Sequence, residues 1–195
     1  VLFRSGKAVT YAELDARSNR LAHLLRAHGL KRLDHYSIFM ENNDRYLEAC
    51  AAGERSGLYY TCVNSYLKAD ELAFILNNSE SKALITSEAN RAVAVEALGQ
   101  SPNVTLCLIV NGEDDVFTNL DKAVAAFPAT PIADESLGTP MLYSSGTTGR
   151  PKGILRPLPE NPPSQPLPLF DFLNRLWRYR DGMIYLSPAP LYNPA

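Results

Sequence analysis

An α/β protein, with a mostly parallel sheet flanked by helices, is the fold the 195 residues predict. Three observations predict it. Apolar residues recur at helical spacing in several windows, short strand-like runs rich in Val, Ile, Leu and Tyr fall between them, and capping residues or glycines punctuate the junctions. Alternation of this kind builds βαβ units, whose crossover helices force neighbouring strands to run parallel.

Each element has a local reason. Thr10 and Glu13 form a capping-box pattern ahead of Leu14, Leu21, Leu24 and Leu25, and Gly29 stops that helix after His28. Residues 36–40 follow as a short strand. Asn43 is placed to cap a second helix carrying Tyr46, Leu47, Cys50 and Ala51 on one face, which Gly57 ends before a strand over residues 58–63. A helix over residues 70–76, a strand over 83–86, a helix over 88–98 and a strand over 104–110 continue the rhythm. Residues 127–138, with Pro128 and Pro131, read as a connector.

The later chain changes character. Pro157, Pro159, Pro162, Pro163, Pro166 and Pro168 cannot supply ladder N–H groups, so that stretch reads as an exposed extended loop. Leu169, Phe170, Leu173, Leu176 and Trp177 then fall at helical spacing and predict a helix packed on a core. Residues 183–186 predict a further strand. No internal repeat is found, and residues 1–5, which lack an initiator methionine, are set aside as a boundary remnant.

Composition narrows the function classes. With 46% hydrophobic residues, 21% charged residues and a formal charge of -2, the chain offers no electrostatic case for nucleic acid or an anionic membrane. No apolar run approaches the roughly 20 residues a membrane helix needs. Cys50, Cys62 and Cys107 are odd in number and lack metal or redox spacing, so they are expected as reduced, mostly buried thiols of a cytoplasmic protein. His23 and His28 lie at i and i+5 and His35 starts a strand, which is no metal-ligand pattern. Oligomeric state is silent in the sequence.

The most informative segment is residues 143–153. A short apolar run feeds Ser144, Ser145, Gly146, Thr147, Thr148 and Gly149, so the backbone can turn sharply and aim N–H groups into one concavity. Such a nest attracts anions. The Ser and Thr hydroxyls can donate to phosphate oxygens or ligate magnesium, and Lys152 adds a full mobile charge. Pro151 stiffens the approach to that lysine and pushes Arg150 towards extended backbone. The spacing differs from the Walker A pattern, because Gly149 is followed by Arg-Pro-Lys-Gly with no hydroxyl after the lysine.

These residues resemble the signature phosphate loop of the AMP-forming adenylating enzymes, which include acyl-CoA synthetases, firefly-type luciferases and peptide-synthetase adenylation domains. The resemblance extends to residues 15–22, to residues 42–64, where Cys62 stands in place of a usual proline, and to residues 183–192. It covers nearly the whole chain and thins between residues 111 and 137. It implies that residues 6–195 form the N-terminal part of the family's large domain, with the small C-terminal domain absent and the chain inactive by itself.

The chemistry the resemblance implies has two halves. A carboxylate attacks the α-phosphorus of ATP, magnesium pyrophosphate leaves, and the acyl-adenylate is captured by the thiol of coenzyme A. Lys152, Thr147 and Thr148 would be catalytic. Ser144, Ser145, Gly146, Thr147, Thr148, Gly149 and Lys152 would hold ATP, with Thr147 and Thr148 near Mg2+. Tyr192 and Asn193 are substrate-pocket candidates, although the family usually has histidine where Asn193 stands, and an amide cannot become a cation. Arg150, the Ser144–Ser145 pair and the Pro-Leu-Tyr ending resemble the branch acting on fatty or other carboxylic acids. The alternatives are an amino-acid-adenylating or luciferase-like enzyme, or a non-catalytic remnant that binds nucleotide or a partner.

Overall fold

The computed structural model describes residues 1–3, 5–144, 151–165, 167–187 and 189–192. Helix α1 (Tyr11–Ala27) starts at the predicted capping box: the Thr10 hydroxyl accepts from the Glu13 N–H and the Glu13 carboxylate accepts from the Thr10 N–H. It ends at His28, and the following Gly29 takes a positive φ. Strand β1 (His35–Phe39), helix α2 (Tyr46–Glu54), strand β2 (Tyr59–Cys62), helix α3 (Ala69–Asn78) and strand β3 (Ser81–Ser87) follow in the expected order. A 3-10 turn (Glu88–Asn90) leads into helix α4 (Arg91–Leu98), and strand β4 (Leu106–Val110) completes the part that the sequence makes legible.

With two further short strands, β5 (Thr118–Asn119) and β6 (Thr139–Pro140), the sheet has six strands in the order β5-β4-β3-β1-β2-β6, all pairs parallel. Its register sets His35 opposite Tyr59 and Ile38 opposite Cys62 on one side of β1, with Ser37 opposite Leu84 on the other. Alternation along β1 then builds two cores. Tyr36, Ile38 and the following Met40 pack with Leu21, Leu24 and Leu25 of α1 and Tyr46 and Ala49 of α2. Phe39 packs instead with Leu72 and Leu76 of α3 and Ala94 and Ala97 of α4. Both faces are therefore covered, as a parallel sheet requires.

Several expectations are corrected. Asn43 does not cap α2: Arg45 occupies that position, and the Asn43 Oδ1 accepts from the Arg45 N–H at 2.9 Å, forming a turn just before the helix. Strand β5 (Thr118–Asn119), helix α5 (Leu120–Val124) and strand β6 (Thr139–Pro140) were not predicted, being too short to show a period. The connector over residues 127–138 is tied to α1, where Asn19 donates to the Ala129 carbonyl at 2.8 Å. The proline-rich stretch is not wholly exposed either. Leu158 is buried against Tyr59 and Met141, and Arg32 donates to the Leu158 carbonyl at 2.9 Å.

The end of the chain departs furthest from expectation. Helix α6 (Pro168–Trp177) forms, but none of its described residues is buried, and Leu169, Phe170 and Trp177 are all more than half exposed. The predicted strand over residues 183–186 is absent, and Ile184 is 96% exposed. Apolar periodicity specifies a face, and a face becomes core only where another layer covers it. At the other end Leu2 pairs with Ala8 in an antiparallel bridge, so the first residues do have a place in the fold. Among the described residues no helix is long and apolar enough to cross a membrane.

Electrostatics inside the fold centre on Arg45, which forks onto the buried Glu48 carboxylate at 2.6 and 2.8 Å and also reaches Asp121. Burial raises the Glu48 carboxyl, and the Arg45 guanidinium opposes that rise. Replacing Arg45 by Met leaves this carboxylate enclosed without a partner and is expected to cost about 3–5 kcal/mol in urea unfolding. The Arg45→Met/Glu48→Leu pair should recover most of the loss; equal losses in the single and double variants would discount the ion pair.

His35 supplies a pH dependence. It stacks on Tyr59 with ring centroids 4.7 Å apart, and burial holds its imidazole below the ordinary 6.5, against the opposing charges of Glu80 and Asp34. Between the lowered folded value and 6.5 the unfolded chain binds a proton that the folded chain refuses, so stability is full above 6.5 and declines as pH falls through that window. Urea midpoints at about pH 7.5 and about pH 5.5 should show a loss that shrinks in His35→Phe. An unchanged pH slope in that variant would remove His35 from the account.

Candidate functional site

The glycine- and hydroxyl-rich segment is flanked by two paired strands. Strand β7 (Leu142–Ser144) pairs antiparallel with strand β8 (Lys152–Ile154), setting Ser144 opposite Lys152, Tyr143 opposite Gly153 and Leu142 opposite Ile154. Of the predicted phosphate-binding residues, Ser144 and Lys152 are thus brought together at the neck. Ser145, Gly146, Thr147, Thr148, Gly149 and Arg150 lie outside the described residues, as does Asn193. Lys152 is exposed and makes no ion pair among the described residues, which leaves its ammonium available to an outside anion.

The hairpin is rooted in the sheet edge by close backbone packing. β6 pairs with β2 through Tyr59 opposite Thr139 and Tyr60 opposite Pro140, and the Met141 N–H donates to the Tyr60 carbonyl at 2.9 Å. Gly138 makes this approach possible, since a Cβ there would stand 2.1 Å from the Gly53 carbonyl oxygen and 2.6 Å from that of Leu58. Gly153 faces softer neighbours, the Met141 Cε at 2.5 Å and the Tyr143 ring at 3.2 Å. On the return, the Tyr59 hydroxyl donates to the Arg156 carbonyl at 2.6 Å. Tyr143 is half-buried, its hydroxyl donates to the Asn78 Oδ1 at 2.7 Å, and burial pushes that hydroxyl up to about 12.

Tyr192 occupies a different place. It packs on the core cluster of α1, α2 and α5, and the preceding Leu191 N–H donates to the Asn42 Oδ1 at 2.9 Å, just beyond the C-terminal end of β1. Tyr143 packs on the α3 and α4 side instead. Among the described residues no hydrogen bond or ion pair joins the hairpin to the Leu191–Tyr192 segment.

The end of the sheet at which Asn42 stands has a topological switch. From β1 the chain passes to β2 on one side, while β3 pairs on the other, and ligands of open parallel sheets settle at such divergences. Ser87 at the end of β3 donates to the Glu41 carboxylate there, and Asn43 and Asn90 flank that pair. Sequence reading missed Asn42 and Glu41 because nothing local marks a loop as the place where two crossovers part. Among the described residues no group of three or more His, Cys, Asp or Glu could hold a metal ion.

Comparison with known proteins follows the same lines. The family model described as AMP-binding enzyme matches residues 1–193. The chain is 31% identical over 162 residues to a 3-oxocholest-4-en-26-oate–CoA ligase of Rhodococcus rhodochrous, covering 79% of this chain and 29% of that protein. It is 32% identical over 150 residues to a long-chain-fatty-acid–CoA ligase of Mycobacterium tuberculosis, covering 75% and 29%. A crystal structure from Rhodopseudomonas palustris, provisionally described as a long-chain-fatty-acid CoA ligase, superposes with a TM-score of 0.79 at 22% identity, over 96% of this chain and 46% of that one. This last likeness concerns the fold. The chain spans less than a third of the two ligases' length.

Gly138, ahead of β6, and Gly153, within the hairpin, make a graded test. Gly138→Ala must displace backbone and is expected to destabilise by about 1–3 kcal/mol, whereas Gly153→Ala needs only a shift of the flexible Met141 end and should cost less. Chemical denaturation of both variants reads the order directly. A larger loss at Gly153 would overturn the account of how the hairpin is rooted.

Proposed function

We propose, since the chain belongs to the AMP-binding enzyme family, that it is the phosphate-gripping part of an AMP-forming acid–thiol ligase. Its substrates in this reading are ATP, a carboxylic acid of the fatty class and coenzyme A. The acid's carboxylate displaces pyrophosphate from ATP to give an acyl-adenylate, which coenzyme A then takes up as a thioester. Two relatives with over 30% identity are named as CoA ligases of carboxylic acids, and that is the support for the thiol and for the acid class. Since the chain covers 29% of their length, we propose further that it works as the N-terminal portion of a longer polypeptide.

The observation that carries the reading is the pairing of Ser144 with Lys152 across the hairpin neck. The hydroxyl and glycine residues between these strands are of the kind that builds an anion nest, and the Lys152 ammonium, which has no ion pair among the described residues, adds the charge that suits the β- and γ-phosphates. Lys152 in this role neutralises charge that grows on the departing pyrophosphate. Ser144, Ser145, Gly146 and Gly149 supply the nest, and the Thr147 and Thr148 hydroxyls donate to phosphate oxygens. Hydroxyl and phosphate oxygens together are the hard donor set that Mg2+ prefers, and a bound ion would supply further neutralisation there. The substrate carboxylate is already ionised near neutral pH, so no general base is required.

Tyr192 and Asn193 are proposed to border the acyl site, with Asn193 offering an amide that hydrogen-bonds without charge. The three free cysteines suit a reducing compartment, and we place the reaction in the cytoplasm on that support. The test is pyrophosphate exchange by the full-length parent across a panel of carboxylic acids. Lys152→Ala should lower the exchange rate about 10²–10³-fold while the circular dichroism spectrum and unfolding midpoint stay unchanged. Unaltered exchange would take this lysine out of the reaction.

A further inference from the structure

Two of the three cysteines meet in space although no motif joins them. Cys50 lies on α2 and Cys62 is the last residue of β2, and their sulfurs stand 3.7 Å apart. A disulfide requires about 2.03–2.05 Å, so side-chain rotation and a small approach of the helix must close roughly 1.7 Å. Their backbones are held in this relation from both ends. The turn between α2 and β2 passes through Gly57 at φ +62, where a Cβ would stand 2.2 Å from the Ser136 Oγ and 3.0 Å from the Arg32 Cγ. On the helix side, the Tyr36 hydroxyl donates to the Ala49 carbonyl, one residue before Cys50.

The surroundings favour thiol chemistry of the pair over that of either sulfur alone. Tyr46 adjoins Cys62, and the S–H of Cys50 stabilises a thiolate on Cys62, lowering that thiol while its own is raised. Both residues are partly buried and neither is fully enclosed. Cys107 sits on β4, where burial alone pushes its thiol up to about 11.

We propose that Cys50 and Cys62 are a peroxide-oxidisable dithiol that closes to an intramolecular disulfide, clamping α2 onto β2. The Cys62 thiolate attacks one peroxide oxygen and the O–O bond breaks. The leaving hydroxide takes a proton to become water, and Cys62 is left as a sulfenic acid. Sulfur of Cys50 then attacks that of Cys62, the S–O bond breaks, and the second hydroxide leaves as water with the Cys50 proton. In sum the dithiol loses two electrons and two protons, and one hydrogen peroxide becomes two waters.

The test uses the 195-residue chain, reduced, exposed to hydrogen peroxide, quenched with N-ethylmaleimide and mapped by mass spectrometry after digestion. Expected is a Cys50–Cys62 linked peptide two hydrogens lighter than its reduced parts, with Cys107 still alkylated. Cys107→Ser should leave the link intact, and Cys50→Ser should strand Cys62 as a sulfenic acid. Because folding holds the sulfurs within reach, the native chain should link at least about tenfold faster than the chain in urea. Native protein alkylated at both positions, links that contain Cys107, or faster linking in urea would each overturn the proposal.

Discussion

Strand β1 is the constraint from which the rest of the molecule follows. Tyr36, Ser37, Ile38 and Phe39 are all fully enclosed, with β3 on one side, β2 on the other and helices above and below. A strand in that position must satisfy every backbone group through its neighbours and divide its side chains between two cores. The Tyr36 and Ile38 side chains commit α1 and α2 to one face, and Phe39 commits α3 and α4 to the other. Because β2 and β3 flank β1, the crossovers part at its C-terminal end, and that divergence gathers Glu41, Asn42, Asn43, Ser87 and Asn90.

The candidate phosphate turn depends on this frame only at second hand. β6 joins the open edge of β2 for two residues, Gly138 lets the chain press against α2 and β2, and the hairpin of β7 and β8 hangs from that attachment. A loop whose ends are fixed by an antiparallel pair loses less entropy on gripping a ligand than one that hangs free. The geometry thus separates two roles. Backbone packing near Gly138 fixes where the hairpin leaves the sheet, and affinity for an anion is proposed to rest on the residues between its strands.

Legibility varied along the chain for physical reasons. The capping box at Thr10 and Glu13, the stop at Gly29 and the apolar runs of β1 to β4 are local signals, and the structure reproduces them. Elements of two to five residues, such as β5, α5 and β6, exist because neighbours hold them, so no periodicity announces them. Asn43 shows the same limit in miniature: its side chain does bond a nearby N–H, but the helix begins after Arg45, whose side chain is held by Glu48 and Asp121. The stripe of α6 specifies a helix but not a core, because helical spacing carries no information about what covers it.

By itself, the sequence determined the alternation of helix and strand, the hydroxyl- and glycine-rich turn ending in Lys152, and the family to which both point. All of these reside in short stretches, where steric preference and hydrogen-bonding capacity act between residues close in the chain. Only the tertiary structure decided that Ser144 faces Lys152, that Leu191 is held by Asn42, that Tyr143 and Tyr192 lie on opposite faces of the sheet, and that Cys50 meets Cys62. Those relations come from strand order and register. Packing of distant segments against a shared core sets both, and a reading of neighbours along the chain contains no trace of it.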